Sequence, residues 1–307
     1  MPLEVAAAVI QRADGAFLLA RRPAGKVYAG YWEFPGGKVE AGEQADRALA
    51  RELREELGIE TQTAYPWITR EYVYPHAAVR LNFFRVTAWG GEPQPRELQD
   101  IAWQRLDAPL ATPMLPANAP VLAALSLPDE YAITDAERLG ESRMLEVVRR
   151  RLDGGLRLLQ VRDRNLPQRD NFVRAVLDAA RSTDARVLVS GGFPGAGVHF
   201  TAVQLGALQE RPATGLAAAS CHNAAELEKA MRLGLDFAVL GPVKATSTHP
   251  GARTLGWEGF AGLVRGASIP VYAIGGLTRA DLPAAWRAGG HGVAMIGGAW
   301  SDALAVV

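Results

Sequence analysis

Three glutamates lie close enough along the chain to share one face of a helix. Glu52, Glu55 and Glu56 stand at positions i, i+3 and i+4, which are neighbours on a helical surface. Like charges at this spacing repel one another, and a bound divalent cation would reverse the sign of that effect. Carboxylates, waters and phosphate oxygens are the ligands that Mg²⁺ prefers. The simpler alternative is a solvent-exposed acidic helix face paired with Arg51 and Arg54.

A helix must position these carboxylates, and the apolar residues predict one from Ala45 to Leu57. They recur at helical spacing, so one face of the helix should enter the core. The members of this face are Ala45, Ala48, Leu49, Leu53 and Leu57. Gly36 and Gly37 precede the helix and permit a sharp turn that approaches a ligand closely. Gly58 fits the C-terminal stop of the helix.

The segment from Gly37 to Ile59 resembles the Nudix box without a departure at its fixed positions. It reads GKVEAGE at residues 37–43, then seven residues, then RELREELGI at residues 51–59. The resemblance implies a hydrolase that cleaves nucleoside diphosphates linked to another group, with Mg²⁺ as cofactor and Mn²⁺ as an alternative. The cation would bridge phosphate oxygens and acidify the attacking water.

The Nudix resemblance also implies roles for individual residues. The metal ligands would be the Gly37 carbonyl and the carboxylates of Glu52, Glu56 and Glu97, with Glu55 nearby. Among the catalytic glutamates Glu52, Glu55 and Glu56, either Glu52 or Glu55 would orient or deprotonate the water. A supporting ion pair between Glu43 and Arg51 would brace the loop and the helix. An exposed loop glutamate is the alternative for Glu97.

Further motifs resemble the MutT branch of that family, which hydrolyses 8-oxo-dGTP. They are RRP at residues 21–23, GYWEFPGGK at 30–38, WGGEP at 89–93 and PANAPV at 116–121. The branch implies products 8-oxo-dGMP and pyrophosphate, and a role in nucleotide-pool sanitation that protects DNA replication and reduces the need for DNA repair. Asn118 stands where the branch reads the oxidised purine; its alternative is a helix N-cap. Arg22 and Lys38 are candidates for phosphate contacts or, equally, surface charges.

The composition limits the partners and the compartment. The 307 residues contain 33 Lys and Arg and 33 Asp and Glu, so no net charge favours nucleic acid or a membrane. Cys221 is the only cysteine, which excludes an internal disulfide and fits a reducing cytosol. The apolar start is short and carries Glu4, so it predicts a strand instead of a signal peptide. We expect a soluble, cytoplasmic protein with a small-molecule nucleotide substrate, no direct nucleic-acid binding and no membrane association.

The second half of the chain alternates short apolar strands with helical stretches, which predicts a (β/α)₈ TIM barrel. The predicted strands are residues 131–134, 156–162, 186–190, 198–200, 216–220, 237–240, 271–274 and 293–296. The fold class is therefore α/β, with a Nudix α/β/α sandwich at residues 1–128 followed by the barrel at residues 129–307.

The barrel segment resembles the superfamily of thiamin phosphate synthase and the TenI-like thiazole tautomerases. The motifs are YAITD at residues 131–135, LQVR at 159–162, GVHF at 197–200, GP at 241–242, IGG at 274–276 and IGG at 296–298. The resemblance implies a phosphate ester ligand held by backbone N–H groups at two glycine pairs, Gly275–Gly276 and Gly297–Gly298.

Departures from the synthase pattern argue against synthase activity. Ser190 and Gly191 stand where the synthases place one metal-binding aspartate, and Gln204 replaces a second one. Arg164 replaces a lysine of the synthase pattern. His222 matches the tautomerase histidine and could move a proton without a metal; a packing histidine is the alternative.

Several functions stay open at this point. The barrel could be a tautomerase, a sensor of a phosphate ligand or a relic. The Nudix half could instead clear damaged thiamin diphosphates for a barrel that handles the thiazole phosphate. In a third reading the barrel is a non-catalytic module that regulates the hydrolase or joins it into a homodimer.

Overall fold

The chain divides into two compact units. A computed structural model describes residues 2–97, 100–213, 215–246, 251 and 253–304. One unit comprises residues 1–126 with 266–268, and the other comprises residues 127–265 with 269–307. Each unit has its own hydrophobic core. The predicted domain boundary after residue 128 stays a prediction, which a chain truncated at that residue would test.

The first unit is a mixed α/β arrangement of two sheets and two α-helices. One sheet has the order β4-β1-β6-β5 and the other the order β3-β2-β7. The strands are β1 (Leu3–Ile10), β2 (Phe17–Arg21), β3 (Trp32–Glu33), β4 (Gly36–Lys38), β5 (Glu60–Tyr74), β6 (Ala77–Gly90) and β7 (Asp100–Gln104), and the helices are α1 (Ala45–Leu57) and α2 (Ala119–Leu125). Helix α1 has the predicted bounds.

Alternating residues of β1 face opposite layers of this unit. Ala8 and Ile10 belong to the core that holds the buried face of α1, whereas Ala7 and Val9 belong to the core that holds α2. Because successive side chains of a strand point to opposite faces, one apolar strand can serve both cores. The sheet is therefore covered by a helix on each face, as the predicted sandwich requires.

The glycine turn before α1 is part of the sheet. Gly36 and Gly37 in β4 pair with Ala7 and Ala6 of β1. Gly36 has a φ of 141°, and a Cβ there would lie 2.1 Å from the carbonyl oxygen of Ala6. Only glycine fits this position, because any side chain would collide with the neighbouring backbone.

The second unit is a closed barrel of eight parallel strands, which confirms the predicted fold class. The strands are β8 (Glu130–Ile133), β9 (Leu158–Val161), β10 (Arg186–Ser190), β11 (Gly197–Phe200), β12 (Ala217–Cys221), β13 (Phe237–Leu240), β14 (Val271–Ile274) and β15 (Gly292–Met295). The helices are α3 (Ala136–Leu139), α4 (Glu141–Asp153), α5 (Arg169–Arg181), α6 (Ala202–Ala207), α7 (Ala224–Arg232), α8 (Gly256–Val264), α9 (Leu282–Arg287) and α10 (Ser301–Leu304).

Large aromatic side chains fill the middle of the barrel. Tyr131, Phe237 and Tyr272 are fully buried and contact one another edge to face or tilted. They pack with aliphatic residues of the same core, so the barrel interior is a packed core and not a channel. Ser190 and Ser220 lie near the carboxyl ends of β10 and β12, the end at which such barrels place their functional sites.

Across the ranges that the structure describes, no helix has both the length and the apolar character needed to cross a membrane.

Candidate active site

The first unit contains a cavity of about 870 Å³ beside the glycine turn and the acidic helix. It is within the size range of small-molecule sites. Charged residues from several elements line it: Arg21, Arg22, Lys26, Glu33, Lys38, Glu40, Glu52, Glu56 and Glu97. The cavity therefore offers both carboxylates and cations to a ligand.

Glu52 and Glu56 both contact the glycine turn. A Cβ at Gly37 would lie 2.1 Å from the Glu52 carboxyl carbon, so the backbone of Gly37 lies directly against that carboxylate. The Gly36 N–H donates a hydrogen bond of 3.2 Å to Glu56 Oε2. The structure thus brings together three of the four predicted ligands, Gly37, Glu52 and Glu56.

The carboxyl group of Glu56 has an environment that disfavours its negative charge. Its pKa is raised to about 8, chiefly by burial and also by the charges of Glu33, Glu52 and Glu97, while the hydrogen bond from Gly36 acts in the opposite direction. Converging like charges in a partly desolvated site raise pKa values in this way. A cation bound among these carboxylates would favour their ionised forms.

The donor set fits a hard divalent cation, although the described side chains form no ready cluster of ligands. Glu52, Glu56 and the Gly37 backbone offer oxygen atoms, the donors that Mg²⁺ prefers. Within the described ranges, no group of three or more His, Cys, Asp or Glu side chains is arranged to hold a metal ion. Glu97 lines the cavity with its side chain 46% exposed, and its carboxylate lies 4.0 Å from Lys26 Nζ.

Arg51 connects the loop and the helix. Its guanidinium contacts Glu43 at 3.0 Å and Glu52 at 2.8 Å, lies 3.4 Å from Glu55, and donates to the Lys38 carbonyl at 3.0 Å. Hydrogen bonding from Arg51 lowers the pKa of Glu43, and hydrogen bonding to Glu43 raises the pKa of Arg51. The ion pair proposed for Glu43 and Arg51 is present and extends to Glu52.

The two candidates for the water-activating carboxylate have different surroundings. Glu52 lines the cavity and its side chain is 17% exposed. Glu55 is 54% exposed and is absent from the described residues that line the cavity. Of these two glutamates, only Glu52 is placed to contact a ligand in the cavity.

Arg22 is engaged by the protein itself. Its guanidinium contacts both carboxylate oxygens of Glu33 at 2.6 and 2.7 Å and donates to the Val27 carbonyl at 2.7 Å. Burial raises the pKa of Glu33, and Arg22 opposes that shift. Arg22 therefore holds Glu33 in the cavity wall, whereas the exposed Lys38 is the freer of the two predicted phosphate contacts.

Asn118 is buried at the N-cap position of α2. Its side chain makes no capping hydrogen bond and is 4% exposed. Its amide nitrogen has no hydrogen-bond partner among the described residues. Asn118 thus has the position that the capping alternative expects, without the hydrogen bond that capping requires. Asn118 is not among the residues that line the cavity, but its backbone N–H donates to Leu115, which does line it.

An aromatic cluster in the cavity wall was not predicted from the sequence. Tyr28, Tyr74 and His76 line the cavity, with ring centroids 5.4 Å apart for Tyr28 and Tyr74 and 5.5 Å apart for Tyr74 and His76. Tyr28 has a φ of 60°, an uncommon backbone conformation for a non-glycine residue. The sequence feature that could have predicted this cluster is the alternation of Tyr72 and Tyr74 in β5. That alternation gives no information about the loop that carries Tyr28.

The barrel has a second cavity of about 610 Å³ at the carboxyl ends of its strands. His222 lines it, but its side chain is 56% exposed and contacts Glu226 at 3.1 Å. Of the four glycines predicted to bind phosphate, Gly275 lines the cavity; Gly276, Gly297 and Gly298 are not among the lining residues.

The floor of the barrel cavity is made of neutral, hydrogen-bonded side chains. His199 Nδ1 lies 3.0 Å from the Tyr131 hydroxyl, and His199 Nε2 lies 2.9 Å from Ser220 Oγ. Gln160 Nε2 donates to Ser190 Oγ at 2.8 Å. Burial lowers the pKa of His199 to about 3, with a smaller contribution from the charge of Arg164. His199 is therefore neutral. The motif that contains His199 was noted in the sequence, but His199 was not predicted to be a site residue.

These two sites lie in folds with known relatives. Residues 6–124 match the family model described as NUDIX domain, and residues 130–299 match the model described as thiamine monophosphate synthase. The chain belongs to the thiamine monophosphate synthase family through its barrel, and its first unit is a Nudix domain. Both predicted family memberships are confirmed.

Individual relatives cover each unit separately. A CTP pyrophosphohydrolase of Escherichia coli (strain K12) is 43% identical over 128 residues, which are 40% of this chain and 90% of that protein. An 8-oxo-dGTP diphosphatase of the same organism is 38% identical over 123 residues, or 40% of this chain and 95% of that protein. A thiamine-phosphate synthase of Roseiflexus sp. (strain RS-1) is 30% identical over 178 residues, or 54% of this chain and 75% of that protein.

The first unit is accordingly an enzyme domain that hydrolyses phosphoric anhydrides of small nucleotide substrates. Nudix hydrolases generally need a divalent metal such as Mg²⁺.

Proposed function

We propose that the first unit hydrolyses 8-oxo-dGTP to 8-oxo-dGMP and pyrophosphate with Mg²⁺, or Mn²⁺ in its place, and cleanses the cytoplasmic nucleotide pool. The observation that carries the chemistry is the contact of Glu52 and Glu56 with the glycine turn inside one cavity. The proposed ligands of the cation are the Gly37 carbonyl, Glu52 and Glu56, with Glu97 within reach of the cavity.

The reaction is a substitution at phosphorus by water. The water oxygen bonds to one phosphorus of the α–β anhydride, that anhydride bond breaks to give the monophosphate and pyrophosphate, and the water proton passes to a carboxylate. We assign that proton to Glu52, because it lines the cavity whereas Glu55 is exposed outside it. The cation, when bound, offsets the charge that develops on the phosphate oxygens.

Two basic residues support this step in different ways. Arg51 holds Glu52 through a contact of 2.8 Å and is itself fixed by Glu43. It acts as a positioning residue, because its hydrogen bonds go to the protein's own carboxylates. Lys38 is exposed at the cavity and can contact a substrate phosphate as a point charge.

Asn118 is the proposed reader of the oxidised base. A buried amide nitrogen without a described partner costs free energy unless a ligand or water satisfies it. An amide offers one donor and one acceptor together, which suits the edge of a purine. The aromatic wall of Tyr28 and Tyr74 could stack on the same base.

CTP is a second candidate substrate because of one specific observation. The relative that is 43% identical over the first unit carries the name CTP pyrophosphohydrolase. The aromatic wall would accept a cytosine as well as a purine, since stacking tolerates any base. Asn118 is the residue that should separate the two candidates.

The experiment compares kcat/KM for 8-oxo-dGTP, dGTP and CTP in the wild type and in Asn118→Ala. We expect the variant to lose about tenfold or more on 8-oxo-dGTP, the cost of a lost base hydrogen bond in a buried site. Asn171→Ala, an exposed change on α5, is the matched control. Equal losses on all three nucleotides, or a wild-type preference for CTP, would refute the assignment.

For the barrel we propose binding of a phosphate ester without synthase activity. Ser190 accepts a hydrogen bond from Gln160, and Gln204 forms a capping box with Thr201 at the start of α6. By the resemblance, these neutral and engaged side chains stand where the synthases carry metal-binding aspartates, which supports the proposal. A tautomerase role for His222 is the catalytic alternative, and His222→Ala would abolish turnover of a thiazole phosphate if it holds.

A further inference from the structure

We propose that the barrel cavity binds a nucleoside monophosphate without a metal ion, with the base on the neutral floor and the phosphate at an arginine rim. Such a molecule is the class of product that the proposed hydrolysis releases. The inference therefore rests on the proposed function, and its test below can fail separately.

The floor offers both hydrogen-bond donors and an acceptor to a ligand. Burial keeps the Tyr131 phenol protonated, because its pKa is raised well above the usual value. Its proton therefore goes to His199 Nδ1, its described partner. The neutral ring then carries its own proton on Nε2 and donates it to Ser220 Oγ. This direction leaves the Ser220 hydroxyl proton free to donate into the cavity.

The acceptor on the floor comes from Gln160. Its amide nitrogen donates to Ser190 Oγ, which leaves the amide oxygen as an acceptor at the cavity. A hydroxyl donor and an amide acceptor on one cavity floor are the kinds of group that pair with the acceptors and donors of a nucleobase. A ligand whose ring carries a charge is disfavoured on this floor, because the floor side chains are neutral and buried.

The rim of the cavity is cationic. Arg162 and Arg164 line it, and Glu137 is the one carboxylate among its described lining residues. The Glu137 carboxylate accepts the backbone N–H groups of Arg164 and Asn165, both at 2.9 Å, which lower its pKa. The Arg162 guanidinium also lies 3.7 Å from the Asp135 carboxylate, which is itself paired with a further arginine at 2.6 Å. The arginines still outnumber the carboxylates at this rim, and this balance attracts an anion.

The charge balance favours a monophosphate over a metal-bound diphosphate. A magnesium diphosphate needs carboxylates to hold the cation, and Ser190 and Gln204 supply none. A phosphate monoester carries up to two negative charges and needs no cation beside two arginines. The ligand with a base at one end and a monoester at the other is a nucleoside monophosphate.

The test measures binding to the full chain by titration calorimetry in EDTA, with 8-oxo-dGMP as the ligand. We expect one site in the barrel whose affinity falls about tenfold in Ser220→Ala and by more in Arg162→Gln. Deoxyribose 5-phosphate, which lacks the base, and 8-oxo-deoxyguanosine, which lacks the phosphate, should both bind more weakly than 8-oxo-dGMP.

Two control variants show which unit holds the ligand. Ser182→Ala makes the same change at an exposed position after α5 and should bind as the wild type does. Asn118→Ala alters the proposed base reader of the first unit, so a loss of affinity in this variant would report binding in that unit instead of the barrel. The inference is overturned if no binding occurs in EDTA, if binding is lost in Asn118→Ala but not in the barrel variants, or if a thiazole phosphate binds more tightly than 8-oxo-dGMP.

The two proposals can fail independently. Turnover of 8-oxo-dGTP without barrel binding of 8-oxo-dGMP would overturn this inference and leave the proposed function intact. Barrel binding without turnover of 8-oxo-dGTP would retain the site and overturn the substrate assignment.

Discussion

At the scale of single residues, Arg51 ties the acidic helix to the loop before it. Its planar guanidinium reaches Glu43, Glu52 and the Lys38 carbonyl at once. A lysine at this position keeps the charge but cannot form the fork of hydrogen bonds. We therefore expect Arg51→Lys to lower kcat/KM by roughly 10- to 100-fold, as measured by steady-state pyrophosphate release.

Arg54→Lys is the matched control for that change. Arg54 lies on the same helix and pairs with Glu60 through two contacts of 2.6 Å, but both side chains are more than half exposed. Exposed pairs of this kind contribute little to stability, and the loss of this one should leave the cavity unaffected. Comparable losses of activity in both variants would show that Arg51 acts on the stability of the helix and not on Glu52.

Residue types and spacing identified part of the candidate site and missed another part. Glu52 and Glu56 were predicted because their helical spacing and their motif carry the signal within a few residues of sequence. Glu33 and His199 were not selected as site residues, because their significance depends on burial and on partners far along the chain. Long-range contacts of this kind leave no periodic pattern in one sequence.

At the scale of elements, the turn of β4 sets how closely the backbone approaches α1. A Cβ at Gly37 would lie 2.1 Å from the Glu52 carboxyl carbon. We expect Gly37→Ala to displace that carboxylate and to weaken Mn²⁺ binding at least tenfold, measured by calorimetry on the folded variant. Gly206→Ala, where the added Cβ meets nothing within 4 Å, is the control; unchanged Mn²⁺ affinity in Gly37→Ala would contradict the proposed ligand set.

The elements themselves were predicted unevenly. Helix α1 was found with its bounds because its apolar face repeats without interruption. Strand β5 was not predicted, although it has 15 residues. Its pairing with β6 shifts register near Thr61, Thr63 and Pro66, and such irregularities break the alternation by which a strand is recognised.

At the scale of the whole molecule, each unit has its own core, and the barrel carries a buried titratable group at its centre. In an unfolded chain histidine titrates near pH 6.5, whereas burial lowers the pKa of His199 to about 3. A depressed folded-state pKa means that the unfolded chain binds the proton more readily. The contribution of His199 to the free energy of unfolding is therefore fully present above pH 6.5 and is lost progressively as the pH falls from about 6.5 toward 3.

We expect the barrel of the wild type to lose about 2 kcal/mol more stability between pH 7 and pH 5 than the barrel of His199→Gln. The buried Cys221 is the chain's only cysteine and lies in this unit. Thiol labelling at one fixed pH after equilibration in urea therefore reports barrel unfolding. Equal pH dependence in the two proteins would show that His199 is not held neutral.

The central claim is that the first unit hydrolyses 8-oxo-dGTP through Glu52. The most direct measurement is pyrophosphate release with Mg²⁺ from 8-oxo-dGTP, dGTP and CTP, by the wild type and by Glu52→Gln. We predict a strong preference for 8-oxo-dGTP in the wild type and a loss of at least about 100-fold in the variant. Comparable turnover of all three nucleotides, a preference for CTP, or an active Glu52→Gln variant would contradict this assignment.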